Sequence, residues 1–325
     1  MDRRACLVAL VAACASIEAW AQAATGARRR IGVLAPSTRA REEVTLQPFF
    51  ERMRQLGWVE GTNVDYDRVY GDDETRNLSR LAIDLVARKP DLIFAPPSPA
   101  AVAARTATRT IPIVFATGTD PVGIGLVASL AKPGGNVTGV LSVADSLTPK
   151  LIQMLHEVLP NAKRLGFLSE PNDPRARIDL AALRKPASAL GLSVVVADVA
   201  NPSALGLAVS RLADEKVDAV VTSTALLFNL RDTLLQLTNA RRLPVTGHRA
   251  EMADAGAIFT YGAALPDQMR EAAAIVDKVL RGATPADLPV QQPTKFELVV
   301  NVKAASLLGI KIPQGLLLRA DRVIE

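Results

Sequence analysis

The chain has 325 residues, 49% of them hydrophobic and 22% charged, with a net charge of +5 at pH 7. That is the composition of a folded protein with room for two domains of ordinary size. Lys and Arg are scattered apart from Arg28–Arg30, and aromatic residues make up only 4%, which excludes a nucleic-acid surface of clustered bases and stacking platforms.

The N-terminus reads as an export signal. Arg3 and Arg4 supply a positive start, and Cys6 to Ala15 is an apolar run too short to span a bilayer. Ala19-Trp20-Ala21 and Ala21-Gln22-Ala23 both fit the small-x-small cleavage pattern. Cleavage after Ala21 is expected, making residues 1–21 the signal peptide. Val11-Ala12-Ala13-Cys14 has the look of a lipobox, so a lipoprotein anchored through Cys14 is the alternative. The paired arginines leave twin-arginine export open beside the general route. Both cysteines, Cys6 and Cys14, fall in this leader. The mature chain therefore has no disulfide and no cysteine metal ligand. No later segment reaches about 18 consecutive apolar residues, so no further membrane span is expected.

The first predicted strand is Ile31–Ala35, followed by an amphipathic helix over Glu42–Leu56 and a strand over Asn63–Val69. A helix over Thr75–Ala87 leads to Asp91–Ala95, a short apolar run bounded by prolines that reads as a buried parallel strand. Next come an Ala-rich helix over Ser98–Thr108, a strand over Ile113–Ala116, a helix over Val122–Leu130, the turn Pro133–Asn136 and a strand over Val137–Ser142. Thr148–Leu159 is a helix between two halves. The second half repeats the alternation, with strands near Arg164–Leu168, Ser193–Val199, Asp218–Thr222 and Pro244–Thr246. Its helices lie near Arg175–Leu190, Ser203–Lys216 and Leu226–Asn239. A strand over Ala257–Tyr261, a helix over Pro266–Arg281, a Pro-rich extended stretch over Gly282–Thr294 and a short helix over Lys303–Leu308 complete the chain. Strict alternation of strand and helix predicts an α/β fold with parallel sheets covered on both faces.

The two halves resemble each other. Ile31-Gly32-Val33-Leu34 returns as Leu165-Gly166-Phe167-Leu168, and Leu56-Gly57 as Leu190-Gly191. Lys89-Pro90-Asp91 returns as Lys216-Val217-Asp218, and Ile111-Pro112-Ile113 as Leu243-Pro244-Val245, always in the same order. Two similar α/β units in tandem place a cleft between them.

Ligands of open parallel sheets bind beyond the carboxyl ends of the strands. Here those ends carry hydroxyls, Pro and Gly: Ser37 and Thr38, then Ser98, Pro99 and Ala100, then Thr117, Gly118, Thr119 and Asp120. In the second unit they are Ser169 to Asn172, Thr222 to Thr224, Gly247-His248-Arg249, and Tyr261. Ser98 has the chemistry of an N-cap and Pro99 that of a first helical residue, so the N–H groups of Ala100 and Ala101 can receive a carboxylate or phosphate. The alternative is an ordinary cap serving its own helix. Asp120 precedes Pro121 and is expected to be extended. It either accepts from a ligand amine or stabilises a helix start through the dipole. Tyr261 can stack on a ligand ring or belong to the core.

Enzyme signatures do not assemble. Gly123-Ile124-Gly125-Leu126-Val127-Ala128 matches G-x-G-x-x-A but lies beyond Asp120-Pro121, not at the first strand–helix turn where a dinucleotide fingerprint belongs. There is no phosphate-loop motif and no nucleophile elbow. His156 is expected to be solvated and His248 to lie at a strand end. No catalytic set, metal site or cofactor is expected, although a carboxylate pair assembled in space stays open.

Two long ordered stretches carry a family resemblance. One is Phe115-Ala116-Thr117-Gly118-Thr119-Asp120-Pro121-Val122 with Gly125-Leu126-Val127 and Lys132-Pro133-Gly134-Gly135-Asn136-Val137-Thr138-Gly139-Val140. The other runs from Gly282 to Val290, through Pro293–Asn301 and Leu308–Pro313, to Ala320-Asp321. From about Arg30 to Glu325 the chain resembles the ABC transporter substrate-binding proteins of the tryptophan/tyrosine-binding type. The resemblance implies a type I periplasmic-binding-protein fold, two Rossmann-like lobes with ligand trapped between them. It implies lobe 1 at residues 29–143 plus 262–289 and lobe 2 at 144–261 plus 290–325, with crossings near Val143, Gly262 and Val290. Ligand would be held by Ser98 to Ala100 and Thr117 to Asp120 from lobe 1, with Asn172, Thr224 and Tyr261 from lobe 2.

The implied function is an exported, periplasmic protein that captures a small solute by hinge closure and delivers it to an ABC permease and its ATPase subunit. An amino acid or related carboxylate fits the hydroxyl-rich strand ends. Trp58, the one tryptophan after the leader, is placed away from those ends, so a smaller aliphatic or carboxylate ligand is as plausible as an aromatic one. A ligand sensor acting on a receptor, or a periplasmic hydrolase, are the rival readings.

Overall fold

A computed structural model describes residues 28–118, 120–141, 147–173, 176–222 and 225–325. The expected signal peptide and Cys14, together with Val143, Thr119 and Thr224, lie outside these residues. The first sheet holds β1 (Arg29–Ala35), β2 (Val64–Tyr70), β3 (Leu92–Phe94), β4 (Ile113–Gly118) and β5 (Val137–Leu141), in the order β2-β1-β3-β4-β5. Every pair in it is parallel. The second holds β6 (Arg164–Ser169), β7 (Ser193–Asp198), β8 (Ala219–Thr222), β9 (Val245–Gly247), β10 (Phe259–Gly262), β11 (Glu297–Asn301) and β12 (Arg322–Ile324). Their order is β12-β11-β10-β9-β8-β6-β7.

The helices in chain order are α1 (Arg39–Gln55), α2 (Leu78–Ala87), α3 (Ser98–Ala107), α4 (Leu147–Val158), α5 (Ala176–Ala189) and α6 (Leu205–Asp214). After them come α7 (Ala225–Asn229), α8 (Arg231–Asn239), α9 (Ala250–Asp254), α10 (Leu265–Leu280), α11 (Val302–Leu307) and α12 (Gln314–Leu317). On the first sheet, α1 and α10 bury Leu46, Phe49, Met269 and Val276 on one face. Helices α2 and α3 bury Leu78, Leu85, Ala100 and Ala104 on the other. On the second sheet, α4, α5, α11 and α12 cover one face and α6 to α9 the other. Phe49 stacks on Phe94 with ring centroids 4.0 Å apart. No described helix is long and apolar enough to cross a membrane.

The repeat has a physical basis. Asp91 accepts from Arg29 Nη1 at 2.9 Å and from the Arg30 N–H at 2.7 Å. Asp218 accepts the N–H groups of Lys163 at 2.7 Å and Arg164 at 2.9 Å. In each unit the same acid, just before a central strand, ties down the start of the unit's first strand. Arg30 and Arg164 answer alike, donating to the Arg88 and Glu215 carbonyls, both at 2.8 Å.

Four details depart from the sequence reading. Residues 122–130 form turns and not a helix. Asp120 has φ +43° and is not extended. Its Oδ1 accepts the Gly123 N–H at 2.9 Å, Leu126 N–H returns to the Pro121 carbonyl at 2.8 Å, and Gly125 at φ +71° reverses the chain. The expected helix Leu226–Asn239 breaks at Leu230 into α7 and α8. Finally, β11 runs antiparallel to β10. The chain leaves β10 for α10 on the first sheet and re-enters the second from the same side, so β11 must run the opposite way.

Candidate functional site

The carboxyl ends of the two sheets face each other, and contacts cross between them. Thr75 Oγ1, in the turn after β2, donates to Glu170 Oε1, just after β6, at 2.6 Å. On that flank a cavity of about 530 Å³ is walled by Leu78, Pro99 and Val102 of the first lobe and by Ser169, Asn172 and Arg177 of the second. On the opposite flank a slot brings Glu42, Leu46 and Met269 against Phe228, Asn229 and Arg249. The site is therefore a cleft between lobes with a roomy, partly polar flank and a tight, mainly apolar one.

Each wall follows from local structure. Ser37 is fully buried, its Oγ donating to Asp73 Oδ1 at 2.7 Å and its N–H to Glu42 Oε1 at 3.1 Å. Arg41 Nη1 holds the other Asp73 oxygen at 2.7 Å. Burial pushes Glu42 up from the ordinary 4.5 to about 7. The Ser37 N–H opposes this, Asp73 reinforces it, and Arg249 opposes it from the other lobe. Arg249 and Arg231 sit over the Phe228 ring at 4.5 and 5.0 Å, and Arg231 also donates to the Phe228 carbonyl at 3.2 Å. His248 Nδ1 lies 3.1 Å from the Tyr261 carbonyl. A carbonyl only accepts, so Nδ1 carries the proton.

Several candidate residues stand differently from expectation. Pro97, not Ser98, is the N-cap of α3, and Ser98 is its first residue. Ala101 N–H bonds to the Pro97 carbonyl at 3.1 Å inside the helix, so it does not face a ligand. The helix thus starts one residue earlier than the cap reading placed it. Ala100, in the first turn, has an N–H without an intrahelical acceptor. Thr38 is half-buried at the N-cap of α1 and makes no side-chain cap bond. Thr117 and Gly118 end β4. Asp120 caps its own turn through Oδ1. Asn172 lines the large cavity and donates to the Ala200 carbonyl at 3.2 Å. The Tyr261 ring packs 6.1 Å from Phe296, with Lys150 Nζ 5.8 Å above it. It packs among core residues of the second lobe. His156 is half-buried with a buried Nδ1, not solvated, because α4 packs against the second sheet. Trp58 donates to Asp277 Oδ1 at 2.8 Å, away from the cleft.

Thr75, Glu42, Phe228 and Arg177 were not singled out by the strand-end rule. Each lies on a helix or in a turn brought to the cleft from elsewhere. Arg249 and Glu170 were reachable from sequence, being strand-end residues. Among the described residues no group of His, Cys, Asp and Glu could hold a metal ion.

Two sheets of this topology, facing each other with their carboxyl ends across a cleft, define a two-lobed solute-binding protein. Residues 31–324 match the family described as ABC transporter substrate binding protein, and the chain belongs to that family. Its architecture is the type I periplasmic-binding-protein fold. The tyrosine-binding protein of Clostridioides difficile (strain R20291) is 28% identical over 81% of this chain and 76% of its own length. A conserved domain protein from Vibrio cholerae superimposes with a TM-score of 0.85 at 28% identity, covering 91% of this chain and 99% of that one. An ABC domain from Streptococcus pneumoniae, solved in complex with L-Trp, superimposes with a TM-score of 0.84 at 26% identity, over 92% and 100% of the two chains.

Proposed function

We propose that this protein is exported by its leader, captures an amino acid between its lobes in the periplasm and presents the closed form to an ABC permease and its ATPase subunit. The carrying observation is the cavity of about 530 Å³ walled by both lobes, beside the Thr75–Glu170 hydrogen bond that joins them. Such a space takes an amino acid with a sizeable side chain. Leu78, Val102 and Leu180 offer apolar surface, and Ser169, Asn172 and Arg177 offer polar groups. The first turn of α3, at Ala100, is suited to the carboxylate, and Ser98 and Asp120 are the candidates for the amine. The tyrosine and L-Trp named for the relatives support an amino acid as the class. Hinges near 262 and 290 fit the course of the chain, since α10 packs on the first sheet while β10 and β11 pair in the second.

The function needs no bond chemistry. Ligand binds the closed form better and shifts the open–closed balance towards it. A thermal-unfolding screen of the mature chain against the amino acids, sugars, nucleosides and short carboxylates tests this. Ligand at 100 times its Kd adds about 2.7 kcal/mol and raises Tm by several degrees for lobes of this size. A shift with amino acids alone is expected, with ligand recovered unchanged. No shift by any amino acid, using protein refolded to strip bound ligand, rejects the reading.

A further inference from the structure

The tight flank of the cleft holds a buried acid that solute capture does not use. Glu42 is in the first turn of α1 and only 6% exposed. Its own lobe supplies one wall of the slot through Leu46 and Met269, and the other lobe closes it with Phe228, Asn229 and Arg249. Phe228 packs on the apolar cores of both lobes at once. The groups that face the carboxyl come from every side: the Ser37 N–H at 3.1 Å, Asp73 held by Ser37 and Arg41, and Arg249 across the cleft. We propose that closing the lobes over Glu42 binds a proton at that carboxyl, so that solute capture is favoured by acid.

This rests on the reading that capture proceeds by lobe closure. When the lobes part, water replaces the wall made by Phe228 and Asn229, and the carboxyl regains solvation. Desolvation is the largest influence on this group, with the Asp73 charge adding to it and the Ser37 N–H and Arg249 opposing. In the closed form the balance stands at about 7. Opening returns the group towards ordinary carboxylate behaviour, near 4.5. The group's pKa is thus raised in the closed state. Its preference for closure is complete below the open-state value and is lost as pH rises through about 7. Between the two values the closing constant falls by up to about tenfold per pH unit, and above 7 it levels off.

The test is fluorescence energy transfer between dyes on I83C and L207C in the mature chain. Both positions are exposed, at 61% and 78%, one on each lobe. The closed fraction is followed from pH 5 to 8.5 without ligand and with L-tyrosine as the probe. Wild type is expected to open as pH rises towards 7, and E42Q to stay at the acid level throughout. R249Q, which removes the opposing cation, is expected to move the wild-type midpoint to higher pH. A wild-type closed fraction independent of pH overturns the proposal. So does an E42Q curve that follows wild type, which would assign the titration to another group such as His248. An R249Q midpoint that does not rise overturns it as well. Closure by acid but by no amino acid rejects the proposed solute class and leaves the proton site standing. Closure by amino acid equally at every pH does the reverse.

Discussion

Thr75→Val tests whether the lobes are held together by the contact that spans them. Valine keeps the shape of threonine and removes the hydroxyl that donates to Glu170 Oε1 at 2.6 Å. Glu170 is 1% exposed, so in the closed form no water replaces the lost donor. A hydrogen bond to a charged acceptor contributes about 1.5–3 kcal/mol. The lower figure is taken as a minimum, because the open form gives the carboxylate back to water while the closed form leaves it without this donor. About 1.5 kcal/mol corresponds to roughly tenfold weaker binding. Calorimetric titration with the amino acid found in the screen gives Kd, and the ligand-free Tm reports the fold. Thr75 also lines the cavity, so direct contact with ligand has to be separated from closure. A double-mutant cycle with Glu170→Leu, which removes the acceptor, does this. A coupling of about 1 kcal/mol between the two changes is expected. Additive effects, or a T75V Kd within twofold of wild type, refute the assignment of this bond to closure.

Gly262→Ala builds a Cβ 1.7 Å from the His248 carbonyl oxygen, a backbone atom that cannot move without parting β9 from β10. A loss of at least about 3 kcal/mol is expected, read as a fall in Tm of several degrees. Asn301 caps α11 by accepting the Ala304 N–H at 2.7 Å and donates to the Ala253 carbonyl at 2.8 Å while buried. Asn301→Ala should cost about 2 kcal/mol in chemical denaturation. Trp58→Phe removes the indole donor to Asp277. It should lower the denaturation midpoint by about 1 kcal/mol equivalent and leave Kd unchanged, since this bond ties α1's end to α10 far from the cleft.

The fold was legible because its determinants are local or periodic. Asp91 and Asp218 follow a lysine by two residues in both halves, and both close the foot of the first strand in their unit. A duplicated sequence with duplicated hydrogen bonds leaves little freedom in how the strands are ordered. The errors fall where a local rule met a competing one. Residues 122–130 carry apolar spacing fit for a helix, and Leu126 and Val127 are indeed buried. Yet Asp120 adopts a positive φ before a proline and captures the Gly123 N–H, so the chain turns instead of winding. The strand Glu297–Asn301 was invisible as an antiparallel partner, because its direction is set by the detour through α10 and by nothing in its own residues.

The cleft was legible only as a location. The rule that ligands meet strand ends pointed to Ser37, Ser98, Asp120 and Asn172, and hydroxyl chemistry suggested hydrogen-bonded recognition. What the strand-end rule leaves open is the other side of each contact. Thr75 and Glu170 stand 95 residues apart, and each by itself is an ordinary polar residue near a turn. Glu42 reads from sequence as an acid in the first turn of a helix, where the dipole favours its charged form. In the folded protein, burial outweighs that preference and raises the carboxyl from 4.5 to about 7. Local pattern and tertiary structure thus push the protonation of this group in opposite directions. If parting the lobes rehydrates the carboxyl, as proposed, the difference lasts only while they are together, which is the physical condition for a group that reports closure.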